Sequence, residues 1–149
     1  MLTKTYKILF LCTGNTCRSQ MAHAMSKQWV KLQKLNVDIK SRGIRAKFGE
    51  PTTKEALLVL SKAQINWQGT SSQLLLEDLD WADLVLGMTQ EHLDVAIELG
   101  AGLRQDYAPL YQLLAYQDEL VDPLNCGLAR YQELYDKLQV LLPKRLAAI

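Results

Sequence analysis

Residues 7–19 read KILFLCTGNTCRS: an apolar run that ends in a cysteine and reaches an Arg-Ser pair only six residues later. No other stretch limits the possible folds as much. A short apolar run such as KILFL (7–11) is what a strand covered on both faces requires. From Ser19 the spacing turns helical, with Ala22, Met25, Trp29 and Leu32 at i, i+3, i+7 and i+10. A buried strand passing directly into an amphipathic helix is the first half of a βαβ unit. The loop between them falls at the carboxyl end of the strand, where open parallel sheets hold their ligands.

The same alternation continues. NVDIKS (36–41) has strand periodicity, and TTKEALLVLSKA (52–63) predicts a helix capped by Thr52 or Thr53. ADLVLGM (82–88) is a second buried strand, followed by a helix over 89–99 opened by Thr89. A short strand is expected within 107–111. A last helix over about 128–142 carries Leu128, Tyr131, Leu134, Leu138 and Leu141 on one stripe before Pro143. Strand and helix in turn predict a parallel sheet with helices on both faces. No repeat or linker divides the chain, so one domain over 1–149 is expected.

The loop 12–19 is suited to an anion. With a strand ending at Leu11 and a helix starting near Ser19, the N–H groups of Thr13 to Arg18 converge ahead of a positive helix end. Gly14 and Asn15 are residue types that tolerate the left-handed backbone of such a nest. An oxyanion such as phosphate bound there lies against Cys12 and within reach of Arg18, whose planar fork matches two of its oxygens. The same surroundings favour a thiolate at Cys12, to which the Ser19 hydroxyl adds a hydrogen bond. A lone cysteine is more often structural. Here Cys-x5-Arg-Ser between a buried strand and an amphipathic helix favours a nucleophile.

These residues resemble the signature Cys-x-Gly-Asn-x-Cys-Arg-Ser of the low-molecular-weight protein tyrosine phosphatase family. FGEP (48–51), ADLVLGM (82–88) and DP (122–123) follow in that family's order and spacing. The resemblance implies a flavodoxin-like three-layer fold with a four-stranded parallel sheet in the order 2-1-3-4, without metal or cofactor. It further implies that Cys12 attacks phosphorus to give a thiophosphate intermediate. Arg18 and the amides of Thr13, Gly14, Asn15, Thr16 and Cys17 would stabilise the phosphoryl oxygens. Asn15 would brace the loop, Ser19 would assist Cys12, and Asp122 would act as acid and then base. Without the resemblance, Asp122-Pro123 reads as a turn, and Asp118 and Glu119 are neighbouring candidates for the acid.

Three departures from the commonest pattern bear on the substrate. Thr16 stands where tyrosine-directed members usually carry a bulky aliphatic residue, and resembles the protein-arginine phosphatase branch. Leu124 stands where an aromatic residue usually walls the pocket, which removes ring stacking. Gln20 replaces the usual proline, in a stretch similar to the arsenate reductases of the same fold. The cysteine relay of those enzymes has no match, because no cysteine lies between Cys17 and Cys126. The expected substrate is therefore a phosphorylated protein, with phosphoarginine ranked ahead of phosphotyrosine. Thiol-dependent arsenate reduction is the alternative, and a non-catalytic phosphate sensor comes third.

Other features are weaker. Cys17 is read either as a buried thiol or, by the resemblance, as a partner for a reversible disulfide with Cys12; Cys126 is read as passive, or as a redox partner should the fold bring it close to Cys12. His23 and His92 show no metal-ligand spacing and are read as structural or solvated, and Trp29, Trp67 and Trp81 as packing residues. Lys40, Arg42, Arg45 and Lys47 form a basic cluster near the expected pocket, read as a solvated strand end rather than a steering field. A net charge of +1 argues against nucleic acid as a partner. No run of about 18 apolar residues suits a membrane span, and the N-terminal apolar stretch is short for a signal peptide. Three cysteines, an odd number, suit a reducing compartment, so a cytoplasmic location is expected.

Overall fold

A computed structural model describes residues 4–103 and 107–149. Its strands are β1 (Tyr6–Cys12), β2 (Val37–Gly43), β3 (Leu84–Gly87) and β4 (Leu110–Leu113). They pair in parallel throughout, in the order β2-β1-β3-β4. The helices are α1 (Arg18–Gln33), α2 (Lys54–Lys62), α3 (Leu76–Trp81), α4 (Gln90–Gly100) and α5 (Leu128–Ala147).

Alternation along β1 divides the core. Ile8, Phe10 and Cys12 pack with Met21, Ala22 and Met25 of α1, Leu60 of α2, and Tyr131 and Leu138 of α5. Leu9 and Leu11 point the other way, onto Leu79 of α3 and Leu93 and Ala96 of α4. All four residues from Ile8 to Leu11 are fully buried, as the apolar run demands of a central strand. The result is the flavodoxin-like, three-layer arrangement that the resemblance implies. The chain leaves β1 toward β2 on one side and pairs β3 on the other, so the carboxyl end of β1 is the switch point of the sheet. Cys12 ends β1 there.

Four details differ from the sequence reading. β4 lies at 110–113 rather than within 107–111, and its position at the sheet edge leaves Leu110 59% exposed, which blurs its pattern. The six-residue α3 is too short to show a helical period. Leu32 is 68% exposed because the buried face of α1 is confined to its first half. α5 runs through Pro143 to Ala147, and its buried stripe is Tyr131, Leu134, Leu138, Leu142 and Leu146; Leu128 is exposed and Leu141 only partly covered. Among the described residues, no helix is long and apolar enough to cross a membrane.

Candidate active site

The loop after β1 is fixed by β2 on one side and by its own asparagine on the other. Gly43 pairs with Cys12, and a Cβ built on Gly43 would fall 2.5 Å from Thr13 O and 3.0 Å from the Asn15 nitrogen. Only glycine lets the strand end run so close to the loop. The N–H groups of Ile44 and Arg45 donate to Cys12 O and Thr13 O, both at 3.0 Å. Asn15 adopts the left-handed conformation, φ 58°, as its residue type permits. Its side chain donates to Ser19 Oγ at 2.7 Å and accepts from the Ser72 N–H at 3.0 Å. Asn15 thus ties the loop to α1 at Ser19 and to the backbone at Ser72.

Of Gly14 and Asn15, both suited to a left-handed turn, Gly14 is not the one that adopts it. It does not take positive φ, and a Cβ there would meet only Thr16 Oγ1, at 3.8 Å. The left-handed turn of the nest belongs to Asn15 alone. Thr16 is half-buried, and its carbonyl accepts from the Thr53 N–H at 3.0 Å, which ties the loop to the cap of α2. Cys17 is the N-cap residue of α1 and supplies no side-chain cap, so the first turn presents its N–H groups toward the loop.

Two donors converge on the Cys12 sulfur. The Asn15 N–H lies 3.2 Å from Sγ, and Ser19 Oγ lies 2.8 Å from it. Because Ser19 Oγ already accepts from Asn15 Nδ2, its own proton is free for the sulfur. Arg18, 4% exposed, donates through Nη1 to Leu120 O at 3.0 Å and through Nη2 to Thr13 Oγ1 at 3.3 Å.

Arg18 Nη2 also lies 3.6 Å from Asp122 Oδ2. Of the three acids considered, Asp122 is the one paired with Arg18: Glu119 accepts from the Gln90 N–H at the start of α4, and Asp118 forms a bridge with Ala115. Asp122 also fulfils its turn reading, since Oδ1 accepts from the Leu124 N–H at 3.1 Å. Leu124 is 46% exposed on that turn. Cys126 is exposed, and its sulfur contacts the carbonyls of Asp122 and Leu124.

Cys17 Sγ lies 3.2 Å from Tyr131 Oη, and burial pushes the Cys17 thiol up. Three of the four residues in the basic cluster have partners: Arg42 pairs with Asp78, Arg45 with Glu91, and Lys40 sits 4.4 Å over the ring of Trp81. Gln20 is buried and fully used, donating to Asn15 O and Thr70 O and accepting from Trp67 Nε1. Its role was not legible in sequence, nor was that of His92, which bonds Thr13 Oγ1 at 3.0 Å and accepts from the Thr89 N–H at 3.1 Å. Among the described residues, no group of three or more His, Cys, Asp or Glu is placed to hold a metal ion.

His23 and His92 are each lowered from 6.5 to about 4, chiefly by burial and then by nearby cations, Lys27 and Arg42 for the first and Arg18 for the second. The folded protein resists these protons until about pH 4, whereas the unfolded chain takes them up near 6.5. Stability is therefore full above about pH 6.5 and falls as pH drops toward 4, by at most roughly 3 kcal/mol per histidine. Urea denaturation between pH 7 and 4 checks this, and His23→Gln should flatten the slope.

Residues 7–149 match the family model for the low molecular weight phosphotyrosine protein phosphatase. The chain is 36% identical over 140 residues to a protein-arginine-phosphatase of Geobacillus stearothermophilus, covering 93% of each. It is 31% identical over 138 residues to the low molecular weight protein-tyrosine-phosphatase PtpB of Staphylococcus epidermidis, covering 93% of this chain and 95% of that one. Among solved structures it resembles a YwlE arginine phosphatase variant with a phosphorylated active-site serine. That match has a TM-score of 0.87 at 31% identity and covers 95% and 94% of the two chains.

Proposed function

The chain belongs to the low molecular weight phosphotyrosine protein phosphatase family and is a phosphatase, and from that premise we propose that it hydrolyses phosphoarginine on proteins through Cys12. One observation carries the reading: a sulfur with two donors aimed at it ends β1, and a buried arginine paired with a carboxylate stands at the same loop. In the proposed reaction the Cys12 thiolate attacks phosphorus in line, forming S–P as the bond to the leaving group breaks. Asp122 gives its proton to the departing nitrogen or oxygen. It then removes a proton from the water that attacks phosphorus, breaks S–P and frees phosphate with the thiolate restored. Arg18 and the loop N–H groups stabilise charge on the equatorial oxygens.

Support for the covalent intermediate comes from the relative that carries phosphate on a serine in its active site. The phosphatase domain is taken as 1–149, and three thiols, none in a disulfide, suit action in the cytoplasm. Inorganic phosphate, as product, should compete for the loop. Purified protein should cleave phosphoarginine peptides, phosphotyrosine peptides and para-nitrophenyl phosphate. Inertness toward all three would overturn the reading.

Preference for arginine rests on Thr16 and on the likeness to arginine phosphatases. A small hydroxyl leaves space beside a polar guanidinium, whereas a branched alkyl group packs on a phenyl ring. Thr16→Ile should therefore lower the ratio of phosphoarginine to phosphotyrosine kcat/KM by about 10-fold. An unchanged ratio would leave Thr16 without a part in selection.

A further inference from the structure

Thr13, His92 and Arg18 form a hydrogen-bond set in which the position of every proton but one is forced. The Thr89 N–H can only donate, so His92 Nδ1, 3.1 Å away, must accept. The ring proton of neutral His92 is then on Nε2, which donates to Thr13 Oγ1 at 3.0 Å. Arg18 Nη2 has nothing but protons to offer and donates to the same oxygen at 3.3 Å. A hydroxyl oxygen accepts two such bonds and has one proton to give. Both acceptor sites of Thr13 Oγ1 are filled, so its O–H is left to donate to a further acceptor, and Thr13 itself is half-buried beside Cys12.

We infer that His92 is a positioning residue that locks the Thr13 hydroxyl as a hydrogen-bond donor to a phosphoryl oxygen held in the loop. The inference rests on the phosphatase reading for the oxyanion that accepts the bond, and on the bond geometry alone for the hydroxyl's role as donor. His92 is buried at the first turn of α4, 79 residues from Thr13 in sequence, and touches no other side chain of the loop by hydrogen bond. With the ring proton on the other nitrogen, Nε2 would accept from Thr13 and draw its proton away from the anion.

His92→Asn and His92→Gln separate the two contacts. The shorter amide can take the place of Nδ1 and keep the bond from Thr89, but it does not reach Thr13. The longer one can place an N–H where Nε2 donates, at the expense of the helix cap. We expect His92→Asn to melt near the wild type while losing about 10- to 100-fold in kcat/KM for para-nitrophenyl phosphate, the loss of one bond to a charged oxygen. His92→Gln should melt lower yet keep most of the activity. In a Thr13→Val background, His92→Asn should cost nothing further.

The same variants, melted with and without inorganic phosphate, report anion binding without turnover. Wild-type protein stabilised by phosphate but unable to cleave the ester would sink the phosphatase reading and leave this inference to the melting data. Activity and phosphate stabilisation that fall together with melting temperature in both His92 variants would overturn it. So would multiplicative losses in the double variant.

Discussion

Replacing Cys12 with serine should reduce turnover of every phosphorylated substrate by a factor on the order of 10⁴ or more while leaving the loop able to bind phosphate. The bonds that shape the nest do not need the sulfur. Asn15 is held by Ser19 and by the Ser72 N–H, Arg18 by Leu120 O and Thr13, and Gly43 keeps its pairing through the backbone. What changes is the attacking atom. Two hydrogen bonds, from Ser19 and from the Asn15 N–H, orient the sulfur. An alcohol is a far weaker acid than a thiol, and among the described residues no base lies in hydrogen-bond contact with Cys12 to remove its proton. Steady-state rates with para-nitrophenyl phosphate, set beside phosphate-dependent melting shifts, check both halves. A variant within about tenfold of the wild-type rate would remove Cys12 from the reaction.

How far the sequence led depended on distance along the chain. The loop was legible because its parts are consecutive: an apolar run needs a covered strand, a helical stripe follows, and the residue types between them have few other uses. Cys12, Asn15, Arg18 and Ser19 fall in the structure where that reading expects them, all within one loop and one helical turn. The sheet order followed from the resemblance rather than from any local pattern.

Features set by partners remote in sequence were not legible. His92 looked like one residue of a helix, and only the folded chain brings it to Thr13. Gln20 looked like the loss of a proline, yet it ties the Asn15 carbonyl to Thr70 and Trp67, and a Cβ on Gly69 would fall 2.2 Å from its Oε1. The basic cluster illustrates the reverse case. Its charges were plain in sequence, but Asp78 and Glu91 from other elements pair two of the four and Trp81 lies under Lys40. Which of Gly14 and Asn15 takes the left-handed turn was not legible, because both residue types are suited to it and only the folded loop shows that Asn15 does.

Asp122→Asn should show whether the carboxylate acts as the acid, through the way its effect depends on the leaving group. The amide keeps an oxygen to accept from the Leu124 N–H, so the turn should survive. The ion pair with Arg18 is half exposed on the Asp122 side at 3.6 Å, and its loss should hardly change the melting temperature. The chemistry should change far more. Guanidine and phenolate are poor leaving groups without a proton, so loss of a positioned acid should lower the rate on phosphoarginine and phosphotyrosine peptides by about 10²- to 10⁴-fold. Nitrophenolate leaves unaided, so the first step with para-nitrophenyl phosphate should be nearly untouched. Hydrolysis of S–P, however, loses its base. Rapid mixing should then give a burst of nitrophenolate equal to the enzyme, followed by slow turnover. Equal losses on all substrates without a burst would mean that Asp122 serves the turn and the Arg18 pairing, and that the proton comes from elsewhere.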